Sequence, residues 1–182
     1  LMTAAEWQWL TKGNHEGLHL AQRWSKGTAI LFAVGAVSGT VLSFELGLLW
    51  PAFMERAGPH IGPLFALEGF AFFTEAIFLG IYLYGWSRIS PRLHFVSGLV
   101  VAASGLASAF FVITVNAWMN GPTGLAPEGA PSSQIDILAP MWHPPAWHET
   151  VHMLLAAFAA TGFLVAGIHA GLLLGNPRSR FH

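Results

Sequence analysis

The chain has 182 residues, 54% of them hydrophobic and only 9% charged, with a net charge of −1 and a mean hydropathy of +0.54. A soluble domain carries about 25% charged residues, so this is the composition of an integral membrane protein, and no basic surface or glycine-rich phosphate loop argues for nucleic acid or nucleotide. There is no cysteine, which excludes disulfides, thiolate metal centres and iron–sulfur clusters and leaves nine histidines as the soft donors.

Residues 1–24 are too polar to span a bilayer and read as a tail followed by an interfacial helix. They show neither a charged n-region nor a small-residue cleavage site, so no signal peptide is expected, and the Leu1 start is expected to be the cut end of a longer polypeptide. The first complete span is about 27–50, rich in small residues (Gly35, Ala36, Ser38, Gly39) that admit a close neighbour, with Glu45 near its far end. A short loop holding Glu55, Arg56 and His60 leads to a second span, about 62–86. The third, about 93–118, again carries small residues from Ala102 to Ser108 and ends in Asn116-Ala117-Trp118-Met119. An outer Pro/Gly/Ser loop, 119–146, without lysine or arginine, precedes the fourth span, about 147–174, and a tail at 176–182. The expected fold is all-α: a polytopic transmembrane helix bundle of four spans plus an N-terminal interfacial segment.

Four spans put the N-terminal segment, the second connection and the tail on one side. That side holds Lys12, Arg23, Lys26, Arg88, Arg92, Arg178 and Arg180, against Arg56 alone on the other. The positive-inside rule makes it cytoplasmic, and Trp24, Trp50, Trp86, Trp118 and Trp147 then fall at span ends as an aromatic belt.

The second span carries Glu68 and Glu75 within an apolar run. An acid at mid-membrane depth costs roughly 2.5–3.5 kcal/mol on insertion scales and turns toward protein or a cavity. A separation of seven residues puts both on one helix face, about 10 Å apart along the axis. A protonated acid bonding a neighbouring helix would account for either residue; so would a proton path or a buried redox or ion site.

His148 and His152, four apart at the outer start of the fourth span, share a face on which an imidazole suits axial ligation of a haem iron between helices. His94 and His169 suit interfacial or interhelical hydrogen bonds, and His60 is left as a loop residue. HExxH occurs twice, at His15–His19 and His148–His152, the helical zinc pattern in which a glutamate acts as general base. The copies fall on opposite sides of the membrane, neither has an evident third ligand, and the pattern leaves Glu68 and Glu75 unexplained.

Several ordered blocks resemble the first subunit of the cytochrome bd-type quinol oxidases: Arg23-Trp24 with Lys26, GAVSGTVLSFELGLLWP at 35–51, PLFALEGFAFFTEAIFLGIYLYGW at 63–86, NAWMNGPTG at 116–124 and WHETVHMLLAAFAATGFLVAG at 147–167. The resemblance covers roughly the second to fifth transmembrane helices of such a subunit. It implies a terminal respiratory oxidase of a bacterial or archaeal plasma membrane that oxidises quinol and reduces dioxygen to water. It also implies partners: the remainder of the subunit, a second homologous membrane subunit and small accessory subunits. The implied cofactors are a low-spin haem b and two high-spin haems, b and d or a b-type equivalent. By resemblance, His152 ligates the low-spin haem, Glu68 belongs to the high-spin haem or oxygen site, and Glu75 to proton delivery. The family's other haem ligands and its hydrophilic quinol loop have no counterpart among these residues. A haem-free structural or assembly subunit, and an intramembrane HExxH zinc hydrolase, are the competing readings.

Overall fold

A computed structural model describes residues 1–125 and 135–176. These form six helices: α1 (Met2–Lys12), α2 (His15–Leu49), α3 (Pro51–Tyr84), α4 (Pro91–Asn120), the single turn α5 (Ala139–Trp142) and α6 (Pro144–Gly175). No strand occurs among the described residues. Four helices, α2, α3, α4 and α6, are long and apolar enough to cross a membrane, in agreement with the expected class. The centre of the outer loop (126–134) and the tail with Arg178 and Arg180 lie outside the described residues.

The long helices alternate in direction. Phe32 of α2 stacks on Phe72 of α3 at 5.0 Å; His60 and Trp118 meet at one end of the α3–α4 pair, at 5.2 Å, and Tyr82 and His94 at the other, at 4.4 Å. Phe110 of α4 meets Trp147 of α6 at 5.0 Å, and Trp24 near the start of α2 lies 6.0 Å from His169 near the end of α6. The α3–α4 seam is the most extensive helix contact. Two apolar clusters hold it: Leu79, Tyr82 and Val101 with Met2, Ala5 and Ala21 at one end, and Ala57, Ile61, Leu64, Val115 and Trp118 at the other. Elsewhere apolar side chains face outward, Phe163 at 81% and Phe44 at 67% exposure among them, as suits helices whose surroundings are lipid or further protein.

Two expectations change. Residues 1–24 are not one interfacial segment. The chain breaks at Gly13, whose φ of +65° forms a left-handed helix end and is readily adopted by glycine. Asn14 then caps α2 by accepting from the Glu16 and Gly17 amides, and α2 runs unbroken from His15 into the span. The preceding α1 folds back into the bundle and buries Met2, Ala5 and Glu6. Gly17 permits that approach, since a Cβ there would lie 2.7 Å from the Ala5 carbonyl oxygen. The expected loop with Glu55, Arg56 and His60 is likewise helical. The chain turns at Trp50 alone, and Pro51, at the first position of α3, needs no amide partner. At 34 residues α3 rises about 51 Å, well beyond the ~30 Å hydrocarbon core, so its first turns carry Glu55 and Arg56 outside the apolar region. Pro59 and Pro63 sit within it, tolerated where neighbouring helices cover the freed carbonyls. His60 is buried at 4% exposure against Trp118.

Candidate functional site

The three sequence-predicted site residues lie on the two helices that flank α4. Glu68 and Glu75 project from one face of α3. Glu68, half-buried, accepts a hydrogen bond from the Ser108 hydroxyl of α4 at 2.9 Å. It also lines a cleft of about 190 Å³ between α2, α3 and α4, with Gly39, Ser43, Phe65, Phe72 and Val112. Glycines and small residues on α2 leave this space, because bulkier side chains there would fill it. Glu75, two turns on, lies against Gly105 of α4, where a Cβ would be 3.4 Å from both carboxylate oxygens. The absence of a side chain at 105 leaves room for the acid inside the seam.

His152 is on α6. It is exposed and, with His148, Glu149, Asn116, Ile113 and Val112, lines a groove of about 540 Å³ between α4 and α6. His152 makes no hydrogen bond to a described residue, so its ring nitrogens remain available as donors to a metal or metal-centred cofactor. His143 caps α6 from outside the groove, with its Nδ1 buried and unpartnered. The Glu68 cleft and the His152 groove share Val112 as a wall residue. α4 therefore carries the acid site and the imidazole site on adjoining surfaces, about one helical turn from Ser108.

Neither HExxH copy gathers a metal site: among the described residues no three His, Cys, Asp or Glu side chains converge on one point. His15 and His19 begin α2, at the end of the bundle remote from His148 and His152. His169 packs on Trp24, and His94 forms the interhelical hydrogen bonds expected of it. Its partner Glu6 was not singled out from the sequence: the two ring nitrogens of His94 contact Glu6 Oε1 at 2.7 Å and the Tyr82 carbonyl oxygen at 2.8 Å. One signal was available, since Tyr82 follows Glu75 by the same seven residues that separate Glu75 from Glu68.

Comparison with known proteins agrees with this architecture. The cytochrome bd oxidase from Geobacillus thermodenitrificans superposes with a TM-score of 0.91 at 38% identity, over 97% of this chain and 41% of that one. The cytochrome bd ubiquinol oxidase subunit 1 of Bacillus subtilis is 31% identical over 182 residues, all of this chain and 39% of the relative. The cytochrome bd-II ubiquinol oxidase subunit 1 of Escherichia coli is 28% identical over 165 residues, 86% of this chain and 31% of that protein. The chain thus spans about two fifths of the length of the nearer of these relatives. The family model for cytochrome bd terminal oxidase subunit I matches residues 1–182 throughout, and the chain belongs to that family.

Proposed function

We propose that this chain forms part of a membrane quinol:oxygen oxidoreductase, in which His152 ligates a low-spin b-type haem and Glu68 and Glu75 serve the oxygen and proton side of the reaction. The observation that carries the reading is the adjacency, across α4, of an uncommitted imidazole in an open groove and two acids on one helix face. The residues fit a porphyrin. His152 offers a nitrogen donor, Val112, Ile113 and Met153 supply apolar wall, and Asn116, His148 and Glu149 supply polar groups. When bound, the haems supply electron transfer and dioxygen chemistry.

The chain's own residues bind, orient and move protons. Val112 and Ile113 keep water from the groove wall, which favours a buried cofactor over a hydrated one. Ser108 fixes the Glu68 carboxyl by donating to Oε1. Reduction of dioxygen to water consumes protons, and protons cross apolar protein only on titratable groups or on water held by them. Glu75, set into the seam beside Gly105, is the group able to accept a proton at mid-span and pass it toward Glu68.

The partners that follow are the remainder of subunit I, a second membrane subunit and the lipid around the outward apolar faces. The end with Lys12, Arg23, Lys26, Arg88 and Arg92 is assigned to the cytoplasm by the positive-inside rule. The test is a reduced-minus-oxidised absorption spectrum of the complete oxidase carrying Glu68→Ala or Glu75→Gln. Glu68→Ala is expected to alter the high-spin haem bands, and Glu75→Gln to retain haem while oxygen reduction slows. Unaltered spectra and turnover in both would reduce the two acids to interhelical hydrogen-bonding groups.

A further inference from the structure

The end of the bundle opposite the His152 groove holds a second titratable cluster that the proposed chemistry leaves unused. Glu6 of α1 is fully buried, at 0% exposure, and His94 of α4 is buried at 2%. A carbonyl oxygen only accepts, so the 2.8 Å contact with the Tyr82 oxygen requires a hydrogen on Nε2 of His94. The 2.7 Å contact between Nδ1 and Glu6 Oε1 must then hold one further proton, resident on the imidazole or on the carboxyl. Two acceptors do not sit face to face at that distance. The pair is therefore loaded with a single shared proton.

The surroundings suit both positions of that proton. The His94 ring lies 4.4 Å from Tyr82 and 3.9 Å from Trp86, and aromatic faces favour an imidazolium. Glu6 Oε2 and the Tyr82 hydroxyl are both buried, each without a hydrogen-bond partner, while Tyr82 packs on the His94 ring that Glu6 contacts. The hydroxyl is a donor held in reserve: one bridging water or a small approach lets it bond the carboxylate once the shared proton has left. On α2, Ala21 packs in the same cluster, and His19, Arg23 and Lys26 line a neighbouring cleft with Trp86.

The cluster also lies on a polar stripe. On α3, Glu68, Glu75 and Tyr82 recur every seven residues. On α4, His94, Ser97, Ser104 and Ser108 occupy the a and d positions of a heptad, with Val101 completing it. His94, Ser97 and Ser104 are buried, and Ser108 bonds Glu68. Ser97 and Ser104 donate to carbonyls of their own helix, so the stripe is hydrogen-bonded within α4 and sets hydroxyl groups along the α3–α4 seam.

Resting on the proton role proposed for Glu75, we infer that Glu6 and His94, assisted by Tyr82, form a proton-holding station that supplies Glu75, the proton being carried by water that enters the α3–α4 seam past the packed Leu79 and Val101. The shared proton leaves the Nδ1–Oε1 contact for the Glu75 carboxylate. As it leaves, the Nδ1–Oε1 contact opens: Glu6 is left as a carboxylate bonded by the Tyr82 hydroxyl, and His94 as a neutral imidazole with its hydrogen on Nε2. The pair is reloaded by one proton from the aqueous face at its own end of the bundle.

The experiment follows proton uptake with a pH-indicator dye during single turnover with dioxygen, using the complete oxidase carrying Glu6→Gln, Glu6→Asp or Glu75→Gln. The proposal expects Glu6→Gln to assemble with its full haem complement and to take up protons slower on the order of tenfold. Glu75→Gln should also be slowed, and Glu6→Asp should recover part of the rate because it can still titrate. Normal uptake in Glu6→Gln with slowed uptake in Glu75→Gln overturns the station alone. Normal uptake in Glu75→Gln overturns the role of Glu75 and, with it, the transfer proposed here. Should Glu6→Gln fail to assemble, His94→Gln is measured in the same way; failure of both to assemble makes the pair a structural clamp and overturns the proposal.

Discussion

His94 and His152 are the same residue type in the same bundle, and their surroundings give them opposite capacities. His94 is enclosed by α1, α3 and α4; both ring nitrogens are committed and aromatic rings pack around it. His152 stands on the wall of an open groove with no hydrogen bond to a described residue. The His94 site is enclosed by side chains of this chain, whereas the His152 groove is open to its surroundings. An imidazole can ligate iron only when a ring nitrogen is left uncommitted, so the fold rather than the residue type separates a histidine open to a metal from one held in a hydrogen-bonded pair.

The largest expected effect tests the open end. His152→Ala in the complete oxidase is expected to abolish the low-spin b-haem bands of a reduced-minus-oxidised spectrum while membrane insertion continues; retention of those bands would remove His152 as the ligand. His94→Ala is the converse. It leaves Glu6 buried without its partner, a loss of about 3–5 kcal/mol for a broken buried pair, and is expected to lower the thermal unfolding midpoint without selective loss of one haem. Selective loss of the low-spin bands in His94→Ala would reverse the contrast between the two histidines.

Smaller effects probe packing in a tight seam and on an open helix face. Around Gly98 of α4 a Cβ would lie 2.7 Å from both the Tyr82 ring and Thr3, while nothing lies within 4 Å of one at Gly162 of α6. Gly98→Ala should therefore destabilise by about 1–3 kcal/mol, and Gly162→Ala should change the melt by less than about 1 kcal/mol; equal shifts would show that the open face is tightly covered in the assembly. The smallest effect is expected for Asn14→Ala. It removes the cap that accepts the Glu16 and Gly17 amides and should cost about 1 kcal/mol, read as a lower melting midpoint with the haem bands unchanged.

The sequence alone determined the number and class of the long helices, because a run of some 20 apolar residues has few other ways to satisfy its backbone away from water. It also marked Glu68, Glu75 and the His148–His152 pair, since charge in an apolar run and i, i+4 spacing are local signals. The helix limits were less legible. Glu55, Arg56 and His60 are polar enough to resemble a loop, yet Trp50-Pro51 reverses the chain at once and helix continues past the bilayer limits. Glu6 lay in a polar segment with no periodic partner, and His94 is 88 residues distant in sequence, so only tertiary structure could bring them together. The same holds for the open groove at His152 and the shared wall at Val112. Burial, available lone pairs and the placement of a single proton depend on which helices pack against one another, and in a chain whose apolar faces look alike that choice is made by close contacts at Gly17, Gly98 and Gly105, not by hydrophobic pattern.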